Sequence, residues 1–223
     1  MPTRSNPLTP SYRFNPTAGS TGRYIGADGR FVSRANVRGA LDATIQRSGE
    51  NVRTVTQSLR AGEISLADWQ KAVAAEAKAS HLASAAAAKG GWAQMTQSDY
   101  GRVGRELRDQ YGRLNNFAQQ IASGEQKLDG TALRRSQMYI EAGRGTFHAV
   151  EQVEMLKRGF DEQRNILGYA DHCKGPGSCI EQTGYGWMNM GDERIIPIGR
   201  RLCLTHCKCR VAYRNSLTMN EAA

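Results

Sequence analysis

The chain has 223 residues, 39% of them hydrophobic and only 7% aromatic, with 30 Lys plus Arg against 21 Asp plus Glu for a formal charge of +9. That length suits one domain with a smaller companion and can bury a core without covalent staples. No stretch approaches the ~20 apolar residues of a membrane span, and MPTRSNPLTP at the N-terminus lacks the apolar segment of a secretory signal, so a membrane protein is excluded and synthesis in a reducing cytosol is expected.

Residues 1–22 contain four prolines and no apolar period. They predict an extended arm, disordered alone and ordered by a neighbouring subunit; packing along its own body is the alternative. In residues 23–32, RYIGADGRFV, two short apolar pieces flank Asp28-Gly29, which predicts a small β-hairpin.

Ser33 can cap a helix that carries Val37, Leu41, Ile45, Val52, Val55 and Leu59 at three- and four-residue steps, with Gly49 as a candidate break and Ala61-Gly62 as the stop. Ser65 and Asp68 have capping-box spacing ahead of an Ala-rich helix that Gly90-Gly91 ends. Trp69 and Leu82 fall on its apolar side. Thr96 and Asp99 repeat the cap, and Tyr100, Val103, Leu107, Tyr111, Leu114, Ala118 and Ile121 form the cleanest amphipathic stripe in the chain. A fourth helix is predicted from Thr131 to Gly159, with Met138, Ala142, Gly145, Ala149, Val153 and Leu156 on one line. The small residues among them allow close approach. Two interhelical segments, Gly62-Glu63-Ile64-Ser65-Leu66 and Gly124-Glu125-Gln126-Lys127-Leu128, share a Gly-Glu-x-x-Leu pattern, by chance or as ends of similar hairpins.

The expected fold class is therefore mainly α. It comprises an extended arm and hairpin (1–32), a helical bundle or set of helical hairpins (33–160), a Cys-rich zinc-ribbon-like module (161–215) and a tail (216–223).

All five cysteines fall in that module: Cys173, Cys179, Cys203, Cys207 and Cys209, with His172 and His206 beside two of them. Two short ligand-bearing loops separated by about twenty residues follow the logic of a zinc ribbon, in which the metal staples hairpins too small to hold themselves. Cys173, Cys179, Cys203 and either Cys207 or Cys209 are the expected ligands, and His206 is a further candidate. Disulfides and free thiols are the competing readings. A Cys–His nucleophile is disfavoured, because sequence neighbours seldom reach the required hydrogen bond and no oxyanion hole is evident. Metalloprotease, P-loop and nucleophile-elbow signatures are absent. The acidic residues Glu76, Glu106, Asp109, Glu141 and Glu151 are expected on solvated helix faces. His81 and His148 read as ordinary helix histidines, and Trp92 and Trp187 as packing anchors. A non-enzymatic protein is expected.

The run from Cys173 through Cys179, Gly186-Trp187 and Ile195-Ile196-Pro197-Ile198-Gly199 to Cys203-Leu204-Thr205-His206-Cys207-Lys208-Cys209-Arg210 resembles the C-terminal module of the phage head-morphogenesis (Mu F-like) minor head proteins. Gly90 to Thr96 and Arg30 to Ser33 are also similar to sequences in such proteins. The resemblance implies a low-copy structural protein of a tailed-phage virion, made in the host cytoplasm and present in several copies. Its implied partners are capsid, portal or neck subunits, and it implies no enzymatic step. The alternative is a basic nucleic-acid-binding protein. There the arm and the module would contact DNA, with Arg194, Arg200, Arg201, Lys208, Arg210 and Arg214 on phosphate.

Overall fold

The structure is a computed structural model and describes residues 12–15, 23–26, 28–168 and 173–216. Residues 1–11 and 16–22 of the expected arm, His172 and the tail from 217 lie outside the described residues.

Two short strands, β2 (Arg23–Gly26) and β3 (Phe31–Val32), form the expected hairpin. Gly29 takes φ +77° in the turn, and Asp28 accepts from the Arg30 amide at 3.0 Å. The arm differs from expectation. Tyr12–Asn15 is a strand, β1, antiparallel to β2, so the sheet has three strands in the order β1-β2-β3. Phe14 and Tyr24 are buried edge-to-face at 5.2 Å, and the Arg158 guanidinium lies 3.4 Å from the centre of the Phe14 ring. This part of the arm packs on its own body. Removing residues 1–22 would take away a strand and a core side chain.

Five long helices follow. Helix α1 (Arg34–Arg60) starts at Ser33, whose hydroxyl accepts from the Asn36 amide. It runs through Gly49, which is buried, so packing outweighs the roughly 1 kcal/mol helix cost of glycine. Helix α2 (Leu66–Lys89) starts at Ser65 and ends on Gly90 in the left-handed region. That glycine is needed twice over. Its φ is +93°, and a Cβ there would lie 2.3 Å from Cβ of Phe14. Residues Ala83 to Lys89 are all buried, because α2 is central and touches α1, α3, α4 and α5. Small side chains let four neighbours approach one axis.

Helix α3 (Gln97–Ala122) starts with a complete capping box between Thr96 and Asp99. Its buried line is Val103, Leu107, Gln110, Leu114, Phe117 and Ala118. Tyr100 and Tyr111, expected on that line, flank it at 43% and 37% exposure. Phe117 takes the central place, edge-to-face on Trp69 at 5.5 Å and stacked on Tyr139 at 6.3 Å.

The expected fourth helix is two: α4 (Gly130–Glu141) and α5 (Gly143–Lys157), broken at Ala142. The buried line is Ser136, Tyr139, Ile140, Gly143, Phe147, Val150 and Met155, while Leu156 is 49% exposed. The predicted line, Met138 to Leu156, lies beside the buried face in both helices. Gly143 meets α2, where an added Cβ would lie 2.6 Å from Oγ of Ser80. Both Gly-Glu-x-x-Leu segments make the same helix-ending turn, with Gly62 at φ +75° and Gly124 at φ +78°. Leu66 and Leu128 then return to the core.

The last part is a second antiparallel sheet, β5 (Met188–Asn189), β4 (Glu162–Ile166) and β6 (Arg210–Arg214), with β4 central. A six-residue helix, α6 (Cys179–Gly184), covers β4. Gly145 of α5 meets this module directly, since an added Cβ would lie 3.2 Å from the Ile198 carbonyl oxygen. The small residue predicted to allow close approach does so, against a loop rather than a helix.

Candidate metal centre

Three segments carry the cysteines. In Cys173-Lys174-Gly175-Pro176-Gly177-Ser178-Cys179, Gly175 and Gly177 take φ +95° and +73°, which curls the loop on itself. The Cys179 amide then donates to Sγ of Cys173 at 3.1 Å, and Ser178 caps α6 by accepting from the Glu181 amide. Cys179 is thus the first residue of a helix rather than part of a ribbon hairpin. The segment Cys203 to Cys207 makes one 3-10 turn, with Leu204 at φ +45°, a backbone state that costs a branched side chain of order 1 kcal/mol or more. Cys209 precedes β6, where Gly168 comes so close that an added Cβ would lie 2.3 Å from the Lys208 carbonyl oxygen.

These segments bring all five sulfurs together. Cys173, Cys179 and Cys203 form one group with all sulfurs within 4.8 Å of each other, and Cys179, Cys207 and Cys209 form another. Cys179 belongs to both. Its sulfur is 3.3 Å from that of Cys203 and 3.5 Å from that of Cys207. All five are free thiols. Tetrahedral thiolates at about 2.3 Å from zinc stand about 3.8 Å apart; the Cys179–Cys203 and Cys179–Cys207 distances of 3.3 and 3.5 Å lie close to that spacing, and each group of three holds within 4.8 Å.

The electrostatics around the sulfurs also suit anionic thiolates. Arg201 is 3% exposed, donates to the Ile196 carbonyl at 2.8 Å and to Oδ1 of Asn165 at 2.7 Å, and lies 3.8 Å from the Cys179 sulfur. No carboxylate among the described residues pairs with it. A buried guanidinium needs an anion, and the sulfurs are what stand beside it. A hydrogen bond from Cys207 brings the Cys209 thiol down to about 5, while burial pushes Cys179 up and the contact with Cys209 pushes Cys207 up.

His206 is not brought in. Its ring faces α4, with Nδ1 2.9 Å from Oε2 of Glu141 and 2.6 Å from Nη2 of Arg134. Glu76 and Glu151, expected on solvated faces, are buried. His81 is wholly buried against Thr146, and burial lowers it to about 4.

The six cations assigned to phosphate in the nucleic-acid reading are dispersed. Arg201 lies under the sulfurs, Arg194 pairs with Asp192, and Arg214 pairs with Glu162 while stacking 4.5 Å over Trp187. Arg200 is exposed near Glu106; only Lys208 and Arg210 share a cavity. Sequence reasoning missed the polar support of the centre: Asn165, Gln182 and Ser178 are buried and tie β4, α6 and the loops together. No local sequence signal marks them, because their partners lie up to 36 residues away.

Among known proteins, no family model, no curated relative and no solved structure matches this chain.

Proposed function

We propose that the five-thiol cluster holds one structural zinc ion and that the chain is a minor structural protein of a tailed-phage head. Cys179 is the ligand that the two sulfur groups share, so it stands at the centre of the proposed site. Zinc bound there would supply no chemistry beyond cross-linking. The chain's own residues shape the site: Arg201 offsets thiolate charge, the Cys179 amide orients Cys173, and Asn165 ties α6 to β4. Thiolates suit zinc, Cu(I) and iron–sulfur clusters alike; the closed structural staple of a small, core-poor module is the role that points to zinc.

The observation that carries the assembly reading is the meeting of these sulfurs at one centre, because the cysteine run is also what resembles the minor head proteins. A metal-stapled module welded to a helical body gives a rigid piece suited to binding capsid, portal or neck subunits, in several copies and without catalysis. The test is mass spectrometry of purified particles of the phage or prophage that encodes the chain. The reading expects the chain in those particles at low copy. Particles that are complete without it contradict the reading.

A further inference from the structure

A second site lies beside the sulfur cluster, where α1, α5 and the Cys207–Arg210 segment border an open pocket of about 290 Å³ with Lys208 and Arg210 at its exposed rim. Four cations line it: Arg38 from α1, Arg144 from α5, and Lys208 and Arg210 from the strand end. One carboxylate lines it with them, Asp42, which is 53% exposed and accepts from Nε of Arg144 at 2.8 Å. That bond uses one edge of the guanidinium. The Nη1 atom of Arg144 is buried and has no hydrogen-bond partner among the described residues. Glu151 and Glu141 act on Arg38 and Lys208 from a distance, and no carboxylate among the described residues lies within ion-pair range of Arg38, Lys208 or Arg210.

Cys207 and Cys209 line the pocket too and offset part of the four positive charges, while Lys208 and Arg210 face solvent; the buried Nη1 of Arg144 still lacks an acceptor, a cost of order 1–3 kcal/mol. An anion in the pocket would supply that acceptor and meet the remaining positive charge. We propose that this cavity is an oxyanion site that takes a phosphate group. A carboxylate would offset one charge, whereas a phosphate offers up to two charges and oxygens in several directions, matching cations that arrive from three segments. Guanidinium groups suit phosphate because their donors lie in a planar fork. The phosphate could belong to a free ligand or to a nucleic-acid backbone, and the chemistry of the site is the same for both.

The test is calorimetric titration of the full chain at low ionic strength with inorganic phosphate and, separately, with a single-stranded oligonucleotide, alongside amide chemical shifts of the unmodified protein. Saturable binding is expected, with shifts centred on residues 35–42, 144–148 and 207–210. Arg38→Gln and Lys208→Gln should each weaken it about tenfold, the loss of one charge-assisted hydrogen bond. An oligonucleotide that competes with phosphate and loses affinity in the same variants assigns the site to a backbone phosphodiester. Phosphate binding without oligonucleotide binding assigns it to a free phosphate-bearing ligand. The proposal is overturned if neither probe binds with a Kd of about 1 mM or better, if both variants bind as the parent does, or if the shifts fall elsewhere.

Discussion

The helical body and the C-terminal module hold themselves together by different means. The body buries Trp69, Phe117, Ile140, Leu114 and the alanines of α2 in one continuous core. The buried cluster of the module is Cys173, Cys179, Cys207 and Cys209 with a single aliphatic residue, Ile198. Each large apolar side chain that is fully buried contributes roughly 1.5–3 kcal/mol, so the body can stand on apolar burial. The module has much less: among the described residues Ile198, Met188 and Met190 are its buried apolar side chains, with Leu167 and Val211 half-buried. It must rest on sulfur, polar bridges and whatever the sulfurs bind. A lean composition can therefore still give two ordered regions, provided one is cross-linked.

The largest expected effects set the two regions directly against each other. Leu107→Asp places a carboxylate without a partner in the core of the body, where Leu107 is 6% exposed. It should unfold the whole chain, seen as loss of the helical circular dichroism signal. Cys179→Ser should instead abolish metal binding and open residues 173–214 to hydrogen exchange, while the signal of α1 to α5 persists. If both variants melt everything, the regions are one cooperative unit and the contrast fails.

A smaller effect should come from the buried ion cluster of the body. Nζ of Lys89 lies 2.8 Å from Glu154 and 3.3 Å from Asp99, all three largely buried. Burial alone would raise the Asp99 carboxyl, but hydrogen bonds from Thr96 and Lys89 hold it below the usual range. Lys89→Met leaves the buried Asp99 without a cation, while Glu154 keeps Lys157 at 3.0 Å, and should cost about 3 kcal/mol in denaturant unfolding. A loss under about 1 kcal/mol would show that solvent reaches the cluster.

His81 gives the body a pH dependence. Its ordinary value is 6.5, and burial lowers it to about 4 in the fold. Between those values the unfolded chain binds a proton that the folded chain does not. Stability present above pH 6.5 should therefore fall by roughly 3 kcal/mol as pH drops towards 4. His81→Gln should remove that slope, measured as unfolding free energy against pH. An NMR titration of His81 near 6.5 would contradict the assigned burial.

The smallest effect is at the seam. Gly145→Ala puts a Cβ 3.2 Å from the Ile198 carbonyl oxygen. The contact is offset by the roughly 1 kcal/mol that Ala gains over Gly inside α5, so the net stability should change by under about 1 kcal/mol, with faster exchange around Ile198 and none at α2. An unchanged exchange pattern would mean that the seam yields freely.

Much of the body was legible because its signals are local. Ser33, Ser65 and Thr96 cap the helices that follow them, and Gly62, Gly90 and Gly124 stand at the turns that end them. The break at Ala142 was hidden by residues that tolerate either a continuous or a broken helix. The clustering of the cysteines was visible, but their support was not. Arg201 looked like a phosphate contact because its partner Asn165 is 36 residues away, and nothing near either residue reports that pairing. His206 looked like a ligand from its neighbours in sequence, whereas the 3-10 turn that carries it faces α4.

Metal binding, rather than apolar burial, is what we propose closes the module. The most direct test is elemental analysis of protein purified under reducing conditions, followed by chelation with thiol counting and circular dichroism on the same sample. The account predicts about one zinc per chain; its removal should expose all five thiols to alkylation while the helical signal remains. Metal-free protein whose five thiols stay protected and whose module stays folded would contradict it.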